Sequence, residues 1–176
     1  GPVIGYFGLI SEWVDQNLLA ELARAMPEAH VVLIGTSDVP VKTLREIPNL
    51  HLLGPRPFQD LPDSIALFSV GIIPFMVNDL TRAVNPIKLR EMLAAGCPVV
   101  STDLPEVEAV KKQLSATRYR LKGKQPVVTA RSSSEFIEAV RELIRNPLDP
   151  EEKVELSKAM AGESWRNKVD QILGLI

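Results

Sequence analysis

Little in this chain could build a covalent or metal framework: its 176 residues include one cysteine and two histidines. A lone cysteine excludes an internal disulfide and a cysteine-based zinc site, and it fits a reducing compartment. The histidines, His30 and His51, each border a strand-like run and have no partner at metal-ligand spacing along the sequence. No Asp-x-Asp pair occurs to suggest a bound divalent ion. No run of about 20 apolar residues is present, so no segment reads as a membrane-spanning helix. An excess of one charge is missing too: 20 Lys and Arg stand against 22 Asp and Glu, interspersed, for a net charge of -2. That excludes the basic face of a nucleic-acid binder and a polybasic membrane anchor. The remainder, 45% hydrophobic and 24% charged, is ordinary for a soluble globular protein. The length sets one domain with a proper core.

What is there is a repeated pattern of apolar runs. Residues 3–8, 30–35 and 50–54 each read as a short buried strand, ending at Gly8, Gly35 and Gly54. Residues 70–74, 98–101 and 126–129 read as three more. The spacing predicts helices over 14–26, 59–67, 105–112 and 136–144, the last opened by the capping signature from Ser132 to Glu135. Two further helices, over 151–160 and 163–175, follow, the second carrying Trp165. Strands alternating with helices predict an α/β fold: a Rossmann-like parallel sheet of about six strands with helices on both faces. Ligands of such sheets bind beyond the carboxyl ends of the strands, where the strand order switches. The three glycines mark that expected rim, although a glycine after a strand is also plain turn chemistry.

One stretch, residues 85–101, organises the rest. It predicts a helix followed directly by a buried strand, with Asn85 as N-cap and Pro86 at the first helical position. Gly96 stands where a left-handed C-cap residue belongs, and Pro98 forbids further helix. Leu89, Met92, Leu93 and Ala95 form an apolar stripe, while Cys97 reads as core filler. Lys88 and Glu91 lie one turn apart near the helix start. On spacing alone they read as a solvated face. Yet a cation in the first turn runs against the helix dipole, and a bound phosphate at that N-terminus would remove the conflict.

The run Glu91-Met92-Leu93-Ala94-Ala95-Gly96-Cys97-Pro98-Val99-Val100 resembles the donor-site signature of glycosyltransferases with two Rossmann-like domains (the GT-B fold), in particular the retaining family 4 group. That family carries a Glu-x7-Glu motif. Here Ala83 stands in the first position, and the lead-in Asn85-Pro86-Ile87-Lys88 resembles a polysaccharide-type subgroup. The resemblance runs from about residue 3 to the end. It implies the C-terminal donor-binding half of such an enzyme, one domain over 1–176, with the N-terminal acceptor domain absent and the fragment inactive alone. The implied reaction moves a hexosyl group from a nucleotide diphosphate sugar, UDP- or GDP-linked, to an acceptor hydroxyl with retention, in polysaccharide or cell-envelope glycan synthesis. Neither a metal nor a cofactor is required by that scheme.

By the same resemblance, Lys88 and Glu91 are the catalytic pair, Lys88 on the diphosphate and Glu91 on the ribose hydroxyls. Gly8, Leu9, Gly35, Thr36, Gly54, Arg56, Pro57, Pro86 and Ile87 complete the nucleotide site, with Pro55 or Pro57 packing on the base. Asn78, Asp79 and Asn85 fall where sugar contacts belong, and Arg82 is a second candidate cation. The expected partners are the nucleotide sugar and the acceptor domain of the same polypeptide, without nucleic acid. The location implied is cytoplasmic, with attachment of the full-length enzyme at the inner membrane left open. A nucleotide-binding Rossmann-like domain without transferase activity and a nucleotide-sugar epimerase of the same architecture are the alternatives. A receiver domain lacks its paired acids here, and a dinucleotide enzyme lacks the third fingerprint glycine.

Overall fold

A computed structural model of the chain describes residues 1–116 and 123–161. The Val-, Ile- and Leu-rich runs form six strands: β1 (Val3–Phe7), β2 (His30–Ile34), β3 (Leu50–Gly54), β4 (Val70–Ile73), β5 (Val99–Thr102) and β6 (Val127–Ala130). They pair in parallel, in the order β3-β2-β1-β4-β5-β6. This is the doubly wound order, and it reverses between β1 and β4. Near-continuous apolar composition is what a sheet covered on both faces demands. Ile4, Tyr6, Val31, Leu33, Ile72 and Val100 are fully buried, and each such side chain contributes about 1.5–3 kcal/mol.

The helices are α1 (Gln16–Ala25), α2 (Lys42–Arg45), α3 (Leu61–Ala66), α4 (Asp79–Arg82), α5 (Ile87–Ala94), α6 (Pro105–Ala116), α7 (Ser133–Arg145) and α8 (Pro150–Ala161). A 3-10 turn, Phe58–Asp60, leads into α3. Right-handed crossovers send α1 and α5 to opposite faces, because the chain moves outward from the switch in opposite directions. α7 packs with α1, and α8 with α5.

Within the described residues the expected elements are present, with bounds moved for identifiable reasons. α1 starts at Gln16 rather than 14, because the Asp15 side chain accepts the Leu18 N–H at 3.0 Å and sets the cap there. α6 runs beyond the expected 112 to Ala116. Ser132 caps α7 as expected, but Glu135 accepts the N–H of Arg131 at 2.8 Å, one residue beyond a strict capping box. The helix expected over 163–175, with Trp165, lies outside the described residues.

Asp149 and Glu152 cap α8 reciprocally, each accepting the other's N–H at 2.8 Å, and the Lys124 ammonium joins Glu152 at 2.7 Å. Gly96, at φ +73, closes α5 against the backbone of Lys153, so α8 rests directly on the end of α5. His30 Nδ1 and His51 Nε2 meet at 3.1 Å across the β2–β3 pairing, a partnership that linear spacing could not reveal. Cys97 is buried as expected, and burial pushes its thiol up to about 12.

Candidate functional site

The carboxyl ends of β1 and β4 flank the switch, and α5 begins beside them. Between β4 and α5 the chain forms the short helix α4. Asn78 Oδ1 accepts the N–H of Thr81 at 3.0 Å, and the Thr81 hydroxyl accepts that of Asn78 at 3.0 Å. Asn78 is thereby committed to its own cap, while Asp79 and Arg82 stay exposed.

The start of α5 departs from expectation. Pro86, with ψ 90, is itself the N-cap, and no side chain caps the first turn. Asn85 lies one place further out. Its Oδ1 accepts from Arg90 Nη1 at 2.6 Å, while Arg90 Nη2 reaches Glu106 Oε1 at 2.7 Å. A guanidinium anchored on α6 is a stronger donor than a neutral backbone N–H, and it wins the amide oxygen. The first turn of α5 is left with its positive end open.

Lys88 projects from that turn across Gly8 at the end of β1. Gly8 has φ +124, and a Cβ there would collide with the lysine side chain. The ammonium lies 5.9 Å from the Tyr6 ring centre and 5.8 Å from that of Phe75. Among the described residues it makes neither a hydrogen bond nor an ion pair. Burial lowers its pKa, opposed by the negative field of Glu91 one turn on. Burial in turn raises the Glu91 carboxyl, opposed by Lys88. Each charge is partly withdrawn from water, and the other compensates that only in part.

Two cavities open beside these residues, one lined by Glu91 and one by Lys88. One, about 320 Å³, is walled by Phe7, Phe58, Leu61, Pro62 and Ile65, with Glu91 as its carboxylate. The other, about 260 Å³, is bounded by Trp13, Phe75, Asn85, Pro86, Ile87 and Lys88. An extended ligand with an apolar ring at one end and an anionic middle would match this order of surfaces.

The structure brings most of the expected rim together and corrects parts of it. Gly8 donates its N–H to Ile34 O at 2.8 Å, inside the sheet, so it has none to offer a ligand. The Leu9 N–H has no acceptor among the described residues and stays available. Gly35 donates to Gly54 O at 2.9 Å, and a Cβ on it would strike the Gly8 carbonyl, so the three glycine turns are packed into one edge. Thr36 accepts from Ile10 N–H at 2.9 Å and leaves its side chain exposed. Arg56 and Pro57 are exposed beyond β3, as is Pro55, yet none of the three lines the cavity beside Glu91.

Phe58 lines that cavity instead, and the sequence reading missed it. It is 76% exposed, forgoing about 1.5–3 kcal/mol of burial. In sequence it looks like one more apolar residue at a helix start. Among the described residues no group of three or more His, Cys, Asp or Glu side chains is placed to hold a metal. None of the described helices is long and apolar enough to cross a membrane.

Comparison with known proteins identifies relatives in family and in fold. A family profile described as "Glycosyl transferases group 1" matches residues 1–146. The chain is 34% identical over 116 residues to the putative teichuronic acid biosynthesis glycosyltransferase TuaH of Bacillus subtilis, covering 64% of this chain and 29% of that protein. Among solved structures, TarM superposes with a TM-score of 0.71 at 13% identity, over 98% of this chain and 34% of that one. Anabaena Alr3699/HepE in complex with UDP-glucose gives 0.66 at 18% identity, over 99% and 49%. The chain thus spans about a third to a half of these proteins.

Proposed function

This chain belongs to the group 1 glycosyl transferases, and from that premise we propose that it forms the C-terminal, donor-binding half of a two-domain enzyme. The enzyme transfers a sugar from a nucleotide diphosphate sugar to an acceptor hydroxyl, with the anomeric configuration retained. The observation that carries the reading is the Lys88 ammonium laid over Gly8 at the β1/β4 switch, one helical turn from Glu91, with a cavity beside each residue.

The nucleobase occupies the apolar cavity and stacks on Phe58. Glu91, which lines that cavity, accepts from the ribose hydroxyls, a task suited to a two-oxygen acceptor. The diphosphate lies across the open start of α5, within reach of the Leu9 N–H and Lys88. The transferred sugar fills the second cavity, near Asn85. As the glycosidic bond breaks, charge grows on the departing diphosphate, and Lys88 with the helix terminus is already in place to stabilise it.

UDP is the favoured nucleotide, because HepE, a structural neighbour, was solved with UDP-glucose. A role in cell-envelope polysaccharide synthesis follows the teichuronic acid protein. The acceptor half is taken to belong to the same polypeptide in the cytoplasm, so that the fragment binds donor without turning it over.

A thermal-shift panel tests the reading, since a ligand stabilises the native state according to its affinity. UDP or GDP raises Tm and NAD does not; Glu91→Ala abolishes the rise, and Phe58→Ala weakens binding by about tenfold, the scale of one base–aromatic stack. A rise that survives Glu91→Ala, or appears with NAD alone, would place the site elsewhere.

A further inference from the structure

Lys88 raises a physical question that its assignment to a diphosphate leaves open: what holds a cation there before any ligand arrives. Its position opposes the helix dipole. Its surroundings exclude part of its hydration, and no carboxylate sits within ion-pair distance among the described residues. A flexible four-carbon stem would ordinarily swing such a charge into water.

We propose that Tyr6 and Phe75 are positioning residues, whose ring faces hold the Lys88 ammonium over Gly8 and keep it charged and uncommitted. This deepens the donor-site reading and rests on it for its consequence, though its geometry does not. The ammonium stands over both rings, at 5.9 and 5.8 Å, within the range at which the negative face of an aromatic ring attracts a cation. Both rings are fixed. Tyr6 is fully buried on β1, and its hydroxyl donates to Leu9 O at 2.7 Å, which sets the ring plane. Phe75 is buried in a backbone bridge with Val14, flanked by Asp15 N–H to Pro74 O and Met76 N–H to Trp13 O, both 2.8 Å. Gly8 supplies the lane between them, since any side chain there would fill the path of the lysine stem.

The choice of rings over a carboxylate has a chemical consequence. An acid in contact with Lys88 would neutralise it and compete with the incoming diphosphate for the same protons. A ring face attracts the cation yet accepts no strong hydrogen bond, so no competing acceptor has to be displaced when the ligand arrives. Glu91 is the charged neighbour whose field reaches Lys88, and it acts along the helix without contact. Tyr6 stays a neutral phenol, because burial pushes its pKa up.

The test keeps the shape of the ring and changes only its face. Phenylalanine analogues carrying one, two and three fluorines are placed at position 75, and the Lys88 pKa is read by NMR on lysine-labelled protein, with Lys88→Arg to assign the signal. The expected result is a stepwise fall, about half a unit to one unit over the series, as the attraction for the charged form weakens. UDP affinity falls in step while uridine affinity stays constant. A Lys88 pKa that does not move across the series overturns the proposal, as would equal losses for UDP and uridine. If the pKa follows the series but the unmodified protein binds neither UDP nor GDP, the ring contact stands and the donor-site reading falls.

Discussion

At the start of α7, Ser132 accepts the Glu135 N–H at 3.2 Å and Glu135 accepts the Arg131 N–H at 2.8 Å, so side chains cap the first turn and tie it to the residue before the cap. At the start of α5 the N-cap is a proline, the nearest amide side chain is drawn away by Arg90, and a lysine occupies the first turn. The first arrangement is what stability alone selects. The second leaves donors unsatisfied and a cation desolvated beside a cavity, at the one point where the strand order reverses. Two helices of one domain, on one sheet, show that the chain can cap a helix well and does not do so where a phosphorylated ligand is proposed to bind.

The largest effect should come from removing the cation. Lys88→Met weakens UDP binding about 10- to 100-fold, the scale of a charge-assisted hydrogen bond lost to a buried anion site. The same change raises the Tm of the ligand-free protein. The folded-state pKa of Lys88 lies below its unfolded value, so the charged lysine subtracts from stability at neutral pH. A variant that loses binding and stability together would erase the contrast with α7. Calorimetry and thermal melts, with and without nucleotide, read both quantities.

A smaller effect is expected at the other terminus. Ser132→Ala costs about 1 kcal/mol of stability by denaturant titration and leaves nucleotide affinity unchanged. The mildest prediction concerns pH. Diphosphate binding needs the ammonium form of Lys88, so affinity declines as pH rises through its lowered pKa. Ribose binding needs the Glu91 carboxylate, so affinity also declines as pH falls through its raised pKa. The bell in log affinity should therefore be narrower on both sides than free lysine and glutamate would give; a flat profile across it would remove both groups from the site.

The sheet was readable because each strand is a short apolar run with its own stop. The α5–β5 unit was readable because Pro86, Gly96 and Pro98 punctuate it. Burial of Leu89, Met92 and Leu93 follows from their spacing alone. What could not be read were competitions between segments distant in sequence. Asn85 has the chemistry of a cap, and only the arrival of Glu106 beside Arg90 shows why it does not act as one. Gly8 looked like a source of a backbone donor, but Ile34 takes that N–H once β1 and β2 pair. Phe58 carries no periodic signal inside a three-residue turn, and its exposure exists only in three dimensions. The ring faces around Lys88 come from β1 and the end of β4, more than 60 residues apart in order, and no spacing rule joins them.

The seat of α8 on Gly96 gives the site a mechanical neighbour. An eight-residue helix is a stiff rod of about 12 Å, held at one end by the Lys153 backbone and bearing Lys88 at the other. The family match stops at residue 146, short of that support. The rod that carries the ammonium is therefore backed at its far end by a helix that lines neither of the two cavities.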